Sequence, residues 1–62
     1  MFKNISEVVD WYGSQANMAR ALSVDRAAVS AWVKVGMLPP ARAIQVEHQS
    51  GGRFKAVDLT AK

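Results

Sequence analysis

The residues with most to offer chemically lie in one stretch, RAAVSAWVK, from Arg26 to Lys34. Arg26, Ala27, Ser30, Ala31 and Lys34 are spaced so that, on a helix, all five share one face, while Val29 and Trp32 take the other. That set holds no nucleophile beside a base and no acid–base pair, so it does not describe a catalytic centre. It describes a binding surface. An arginine fork donates two parallel hydrogen bonds to a planar anion or to the major-groove edge of guanine. A serine donates or accepts. Two alanines let a helix backbone approach another surface closely, and their methyl groups can meet the methyl of thymine. A lysine one turn further on is a point charge suited to phosphate. The plainer reading is that alanine-rich segments are simply good helices; it is the joint pattern that carries the argument.

The rest of the chain offers little chemistry. It has no cysteine and one histidine, His48, so neither a disulfide nor a thiolate metal site can form, and no metal or cofactor is expected. The absence of cysteine favours a reducing compartment. His48 reads as a solvated residue. Glu47 reads as a partly buried carboxylate, hydrogen-bonded near a helix end or paired with an arginine, since no nucleophile accompanies it. Ser50-Gly51-Gly52 follows a helix instead of preceding one, so it ends that helix and does not cradle a phosphate. No enzyme and no small-molecule substrate are indicated.

At 62 residues the chain reads as one domain, 1–62, with a core of only a few kcal/mol, which short helices build most easily. Half of its residues are apolar, which argues against disorder. The formal charge of +3 and pI near 9.8 point to an anionic partner, nucleic acid before membrane surface, although mild basicity also serves solubility alone. No segment approaches the roughly 20 apolar residues of a membrane span. The opening MFKNISEVVDWYG carries acids and lacks a small-residue cleavage site, so it does not read as a signal peptide, and a cytoplasmic location is expected.

The elements that must position the Arg26–Lys34 face follow from caps and periodicity. Asn4 to Tyr12 predicts a helix, with Asn4 as N-cap, Glu7 completing a capping box, and Ile5, Val8, Val9 and Tyr12 on one apolar stripe. Trp11 falls beside that stripe, to cover the core edge or serve self-association. Gly13 stops this helix and Ser14 caps the next, Gln15 to Leu22, with Met18 and Leu22 on its inner face. Ser23-Val24 makes a turn, and Asp25 caps a third helix, Arg26 to Val35, ended by Gly36. Met37-Leu38-Pro39-Pro40 is a stiff connector into a fourth helix, Pro40 to Gln49, whose informative positions are Ala43, Ile44, Val46 and Glu47. The tail 53–62 contains Phe54, Val57 and Leu59, expected to pack back as an extended segment or single turn, with room for one short strand near Phe54. Arg53 and Lys55 flank Phe54, either to touch a nucleic-acid backbone or to keep the tail soluble.

The second and third helices, about 15–35, form a helix-turn-helix. Counting from Gln15, a small residue (Ala19) stands fifth, a turn residue (Ser23) ninth, a turn plug (Val24) tenth and an inward aliphatic (Val29) fifteenth. That order is the pattern of DNA-binding regulators, with one departure: the ninth position is usually glycine, and serine takes its backbone conformation at some cost. Arg26 at the helix start is placed for guanine, Ala27 and Ala31 for close approach, Ser30 for either base, and Lys34 for phosphate. Ser14 and Gln15 open the preceding helix, whose free N–H groups suit a phosphate, and Asn17 and Arg20 lie near enough to add backbone contacts. The rival reading is a helical protein-interaction module, which an exposed Trp11–Met37 patch would mark.

The run GSQANMARALSVDRAAVSAWVKVGMLPPARAIQVEHQSGG, Gly13 to Gly52, resembles the small, all-helical Cro repressors of lambdoid phages and their sister group, the YdaS-like antitoxins of prophage modules. The shared motifs are the G-S-Q opening, A-x-A-L before the turn, A-A-V-S-x-W on the third helix, the proline connector, and a helix ending I-x-V-E followed by S-G-G. The resemblance implies an all-α bundle of four to five short helices and a repressor that binds double-stranded, pseudo-palindromic operator DNA as a homodimer, in some relatives weakly paired off DNA. Its base-reading positions correspond to Arg26, Ala27, Ser30 and Ala31, and its phosphate-contacting position at the start of the preceding helix to Gln15. Some relatives carry a polar residue where Ala31 stands, which reduces that position to a methyl contact. The antitoxin branch implies instead a protein partner. The tail GGRFKAVDLTAK resembles the helical branch, so no C-terminal hairpin is expected.

Overall fold

The computed structural model describes residues 5–60. Five helices follow one another: α1 Ile5–Tyr12, α2 Gln15–Leu22, α3 Arg26–Val35, α4 Pro40–Gln49 and α5 Ala56–Thr60. The described residues form no strand, and none of their helices is long and apolar enough to cross a membrane. The expected N-cap of α1, Asn4, lies outside the described residues.

One apolar cluster joins all five helices. Ile5 and Val8 from α1, Met18, Ala19 and Leu22 from α2, Val29 from α3, Ala43 and Val46 from α4 and Leu59 from α5 are buried, with Leu38 and Phe54 from the connecting segments. Val9 and Tyr12 complete the α1 stripe as half-buried residues packed against this core. Eight- and ten-residue helices are too short to be stable alone in water, so burial of these stripes is what holds them.

The boundaries have local causes. Gly13 has a positive φ of 107°, a conformation that costs glycine little, and its N–H closes α1 on the carbonyls of Val9 and Asp10. Ser14 caps α2 as expected, its Oγ accepting the Asn17 N–H at 3.1 Å. Pro39 holds the N-cap position of α4 in an extended conformation, with Pro40 at the start of the helix, where a missing N–H leaves no bond unmade. Asp25 stands at the N-cap position of α3, but its side chain makes no capping bond. Its backbone carbonyl accepts from Ala28 and Val29 instead. The expected side-chain cap is therefore replaced by a charge near the positive end of the helix.

The tail takes the single-turn alternative, as a fifth short helix, and departs from expectation only at Val57. It forms a helix, with no strand near Phe54, because Glu47 of α4 supplies the missing cap: its Oε1 accepts the Ala56 N–H at 2.7 Å. Ser50 Oγ accepts the Phe54 N–H, and the Leu38 N–H bonds to the Leu59 carbonyl at 2.9 Å, fixing α5 at both ends. Helical spacing then turns Leu59 inward and Val57 outward, so Val57 is 72% exposed and does not pack back. Ile44 is likewise exposed on α4.

Ser23, at the C-cap of α2, has φ 59° and ψ 45°, and among the described residues it alone has positive φ without being glycine. The departure from glycine noted in the sequence is thus real strain, of about 1 kcal/mol. Ser23→Gly should raise stability by up to about 1 kcal/mol, the relief of strain exceeding the entropy added to the unfolded chain. A urea melt in which the variant is no more stable than the parent would contradict this.

Candidate nucleic-acid interface

The face offered by α3 is defined by what its other face has already used. Val29 is fully buried, and Trp32 and Val33 are half-buried against the core. Ala19 is the small residue that lets α2 and α3 come together, and it is 5% exposed. Val24 is half-buried at the turn, its N–H bonded to the Ala19 carbonyl at 2.9 Å. Arg26, Ala27, Ser30, Ala31 and Lys34 are then all exposed, as their spacing predicts. The side chains of Arg26, Ser30 and Lys34 make no hydrogen bond to another described residue. A helix with two small residues and three uncommitted polar ends on its outer side can lie close against a surface rich in donors and acceptors.

The start of α2 is more constrained. Ser14 Oγ is occupied as an acceptor, but its hydroxyl hydrogen can still be donated. Gln15 is half-buried. The N–H groups of Gln15 and Ala16, ahead of the capped Asn17, have no helical acceptor and stay open to an anion. Asn17 is exposed, yet its amide already works inside the protein: Nδ2 donates to the Tyr12 carbonyl at 3.2 Å and Oδ1 accepts from Arg20 Nη2 at 2.9 Å. Asn17 therefore ties α2 to the end of α1 and holds the Arg20 guanidinium, whose other donors remain available.

Sequence reasoning missed the residues that hold the other end of α2. Arg42 Nη1 donates to the Leu22 carbonyl at 3.2 Å and to Gln45 Oε1 at 2.8 Å. Gln49 Nε2 donates to the Ala21 carbonyl at 2.9 Å, and Tyr12 Oη donates to Gln49 Oε1 at 2.6 Å. Two carbonyls that a helix end leaves unsatisfied are thus capped from α4, and the Arg42 cation sits at the negative end of the α2 dipole. Arg42, Gln45 and Gln49 form a polar stripe beside Ala43 and Val46, which was legible; the carbonyls it serves, far back in the chain, were not.

The remaining candidates fall as follows. Trp11 is 41% exposed and packs edge-on to Tyr12 and Phe54, with ring centroids 4.9 and 6.1 Å apart, so it covers the core edge beside α1. It lines one depression with Glu7, Asp10 and Arg53, whereas Met37 lines another at the end of α3. Trp11 and Met37 thus line separate depressions, and Met37 is half-buried. His48 is exposed, and Lys55 and Arg53 are exposed on the segment before α5.

The family model described as DNA-binding transcriptional regulator Cro matches residues 4–61. No curated protein and no solved structure matches the chain significantly.

Burial pushes the Tyr12 phenol above its ordinary value of 10.0. The neutral form is the one favoured by folding, so this contribution to stability is complete below pH 10 and disappears as pH rises through the higher folded value. Tyr12→Phe should lose about 1 kcal/mol at neutral pH, with the bond to Gln49, and should show a smaller stability loss than the parent on alkaline titration. Because Tyr12 is the one tyrosine in the chain, phenolate absorbance reads it directly; a midpoint at or below the free tyrosine value would contradict the assignment.

Proposed function

The chain belongs to the Cro family of DNA-binding transcriptional regulators, and from that premise we propose that it is a repressor that places α3 in the major groove of operator DNA. The observation that carries this reading is the division of α3 itself: one side buried through Val29, the other exposing Arg26, Ala27, Ser30, Ala31 and Lys34 with their polar ends uncommitted. The major groove is about 12 Å wide and admits one helix. Ala27 and Ala31 keep the leading surface low enough to enter it. Arg26, on the first turn, is assigned to a guanine, Ser30 to a neighbouring base, and Ala27 and Ala31 to methyl contacts.

Phosphate contacts fix the register of α3 on the duplex. Lys34 supplies one from the far end of α3. Ser14 and Gln15 supply others with the open N–H groups at the start of α2, the positive end of its dipole. Arg20 supplies another, steadied by Asn17, whose own contribution to the phosphate runs through that pairing. The chain works as a homodimer on a pseudo-palindromic site, with two copies of α3 about 34 Å apart in successive major grooves on one side of the duplex. Occupancy of the site blocks transcription, in the cytoplasm where the operator lies, and neither a cofactor nor a small-molecule ligand is required for it.

Selection of bound duplexes from a random pool should yield a two-fold symmetric site, and duplex affinity should fall steeply with salt. A pool that returns no enriched sequence, or the absence of duplex binding at low ionic strength, would refute the proposal. On the selected site Arg26→Ala should lose about 1–3 kcal/mol and relax the preference at one base pair of each half-site. Equal losses on selected and random duplexes would remove Arg26 from base reading. Lys34→Ala should weaken all duplexes alike and reduce the salt slope by about 1; an unchanged slope would exclude the phosphate contact.

A further inference from the structure

We propose that Gln49 is a specificity-determining positioning residue: it fixes the end of α2 from which α3 is launched, so that base reading by α3 depends on a side chain of α4. The inference rests on the assignment of α3 to the bases. Gln49 is the last residue of α4 and is exposed, yet both ends of its amide are engaged. Nε2 donates to the Ala21 carbonyl at 2.9 Å, and Oε1 accepts from the Tyr12 hydroxyl at 2.6 Å. One neutral side chain thus joins α1, α4 and α2 at a point just ahead of the turn into α3.

Three observations carry the step from this bridge to α3. First, the carbonyls that the end of α2 leaves open are satisfied in two different ways. Those of Ala19 and Arg20 accept from Ser23 and Val24 within the turn. Those of Ala21 and Leu22 are taken by Gln49 and Arg42 of α4. Second, the turn is strained. Ser23 holds a φ of 59° without being glycine, and such a conformation persists only where its surroundings over-determine it. The bonds from α4 grip the two residues just before Ser23 from outside the helix-turn-helix. Third, α3 packs against α2 and α1, and α2 in turn against α4. A rotation at the turn therefore reaches α3 as a change of angle, and Arg26, on its first turn, moves with it.

Chemistry separates Gln49 from Arg42. Arg42 is a cation, so its loss would weaken every duplex through charge alone; Gln49 carries no charge. Both of its bonds are exposed, so water can replace them at modest cost in stability. A water molecule does not restore the fixed direction that an amide held at both ends gives to the Ala21 carbonyl. Base edges accept a donor fork only within narrow angular limits, whereas a phosphate attracts a charge from many directions. A small change in the angle of α3 thus costs base reading before it costs phosphate binding.

The test compares the full chain with Gln49→Met, which keeps the length of the side chain and removes both bonds, and with Tyr12→Phe, which removes one. Each is measured well below its unfolding midpoint. In the free chain, amide hydrogen exchange at Ser23 and Val24 should quicken in Gln49→Met by more than at Val46, which is fully buried in the core. Affinity for the selected duplex relative to a random one should fall about fivefold, the smallest loss expected of one missing base contact. Affinity for the random duplex and the salt slope should not change. Tyr12→Phe should show part of this fall, and the double variant no more than Gln49→Met alone. Unchanged exchange at the turn, or an unchanged affinity ratio in folded Gln49→Met, would overturn the inference. So would an equal loss on both duplexes, which makes Gln49 a phosphate contact, or additive losses, which make the two side chains independent. A parent chain that prefers no duplex fails the operator reading itself; a parent whose preference Gln49→Met retains in full fails this inference alone.

Discussion

The approach of α2 to α3 at Ala19 is the constraint on which the rest depends. A larger side chain there would push the two helices apart, and Val29 could not reach the core. With α3 drawn in through Val29, and Trp32 and Val33 half-buried beside it, its outer side is determined by helical geometry alone. No further device is needed to expose Arg26, Ser30 and Lys34. The same packing explains why the alanines of α3 fall into two kinds. Ala28 is half-buried on the inner flank, whereas Ala27 and Ala31 are exposed and shape the outside.

A two-turn helix such as α2 cannot hold its position by packing alone, and both of its ends are tied by side chains. Ser14 caps its first turn, Asn17 fastens its start to the end of α1, and Arg42 and Gln49 fasten its end to α4. These bonds satisfy groups that a helix end leaves open, and losing one costs its desolvation as well as the bond. The result is an α2 whose first turn, with its open N–H groups, is held in a fixed relation to α3. Binding residues presented by a rigid scaffold lose little freedom when a partner arrives.

Much of this was legible in the sequence because it is local. The limits of α2, α3 and α4 follow from Ser14, the Ser23–Asp25 turn, Gly36 and Pro40, and the outer face of α3 follows from its period. What was not legible is long-range. The Glu47 carboxylate was readable as partly buried and hydrogen-bonded, but not as the cap of a helix that begins at Ala56. Without that cap the tail reads equally as an extended segment or a single turn, and Val57 as a core residue. Arg42 and Gln49 look like ordinary solvated side chains until α2 is placed beside them. Asp25 errs the other way: its position and type are right for a cap, and the bond is still not made. A cap pattern gives the place where a helix starts more reliably than the atoms that start it.

The bare Cα of Gly13 reaches further than the turn it makes. A methyl group there would stand 2.9 Å from Asn17 Nδ2, the atom that fastens Asn17 to Tyr12, while the opposite end of the same amide holds Arg20. Crowding at this spot would swing the amide and release the guanidinium behind it. Where a positive charge comes to rest on α2 is thus governed, through a single relay, by hydrogen atoms at the end of α1.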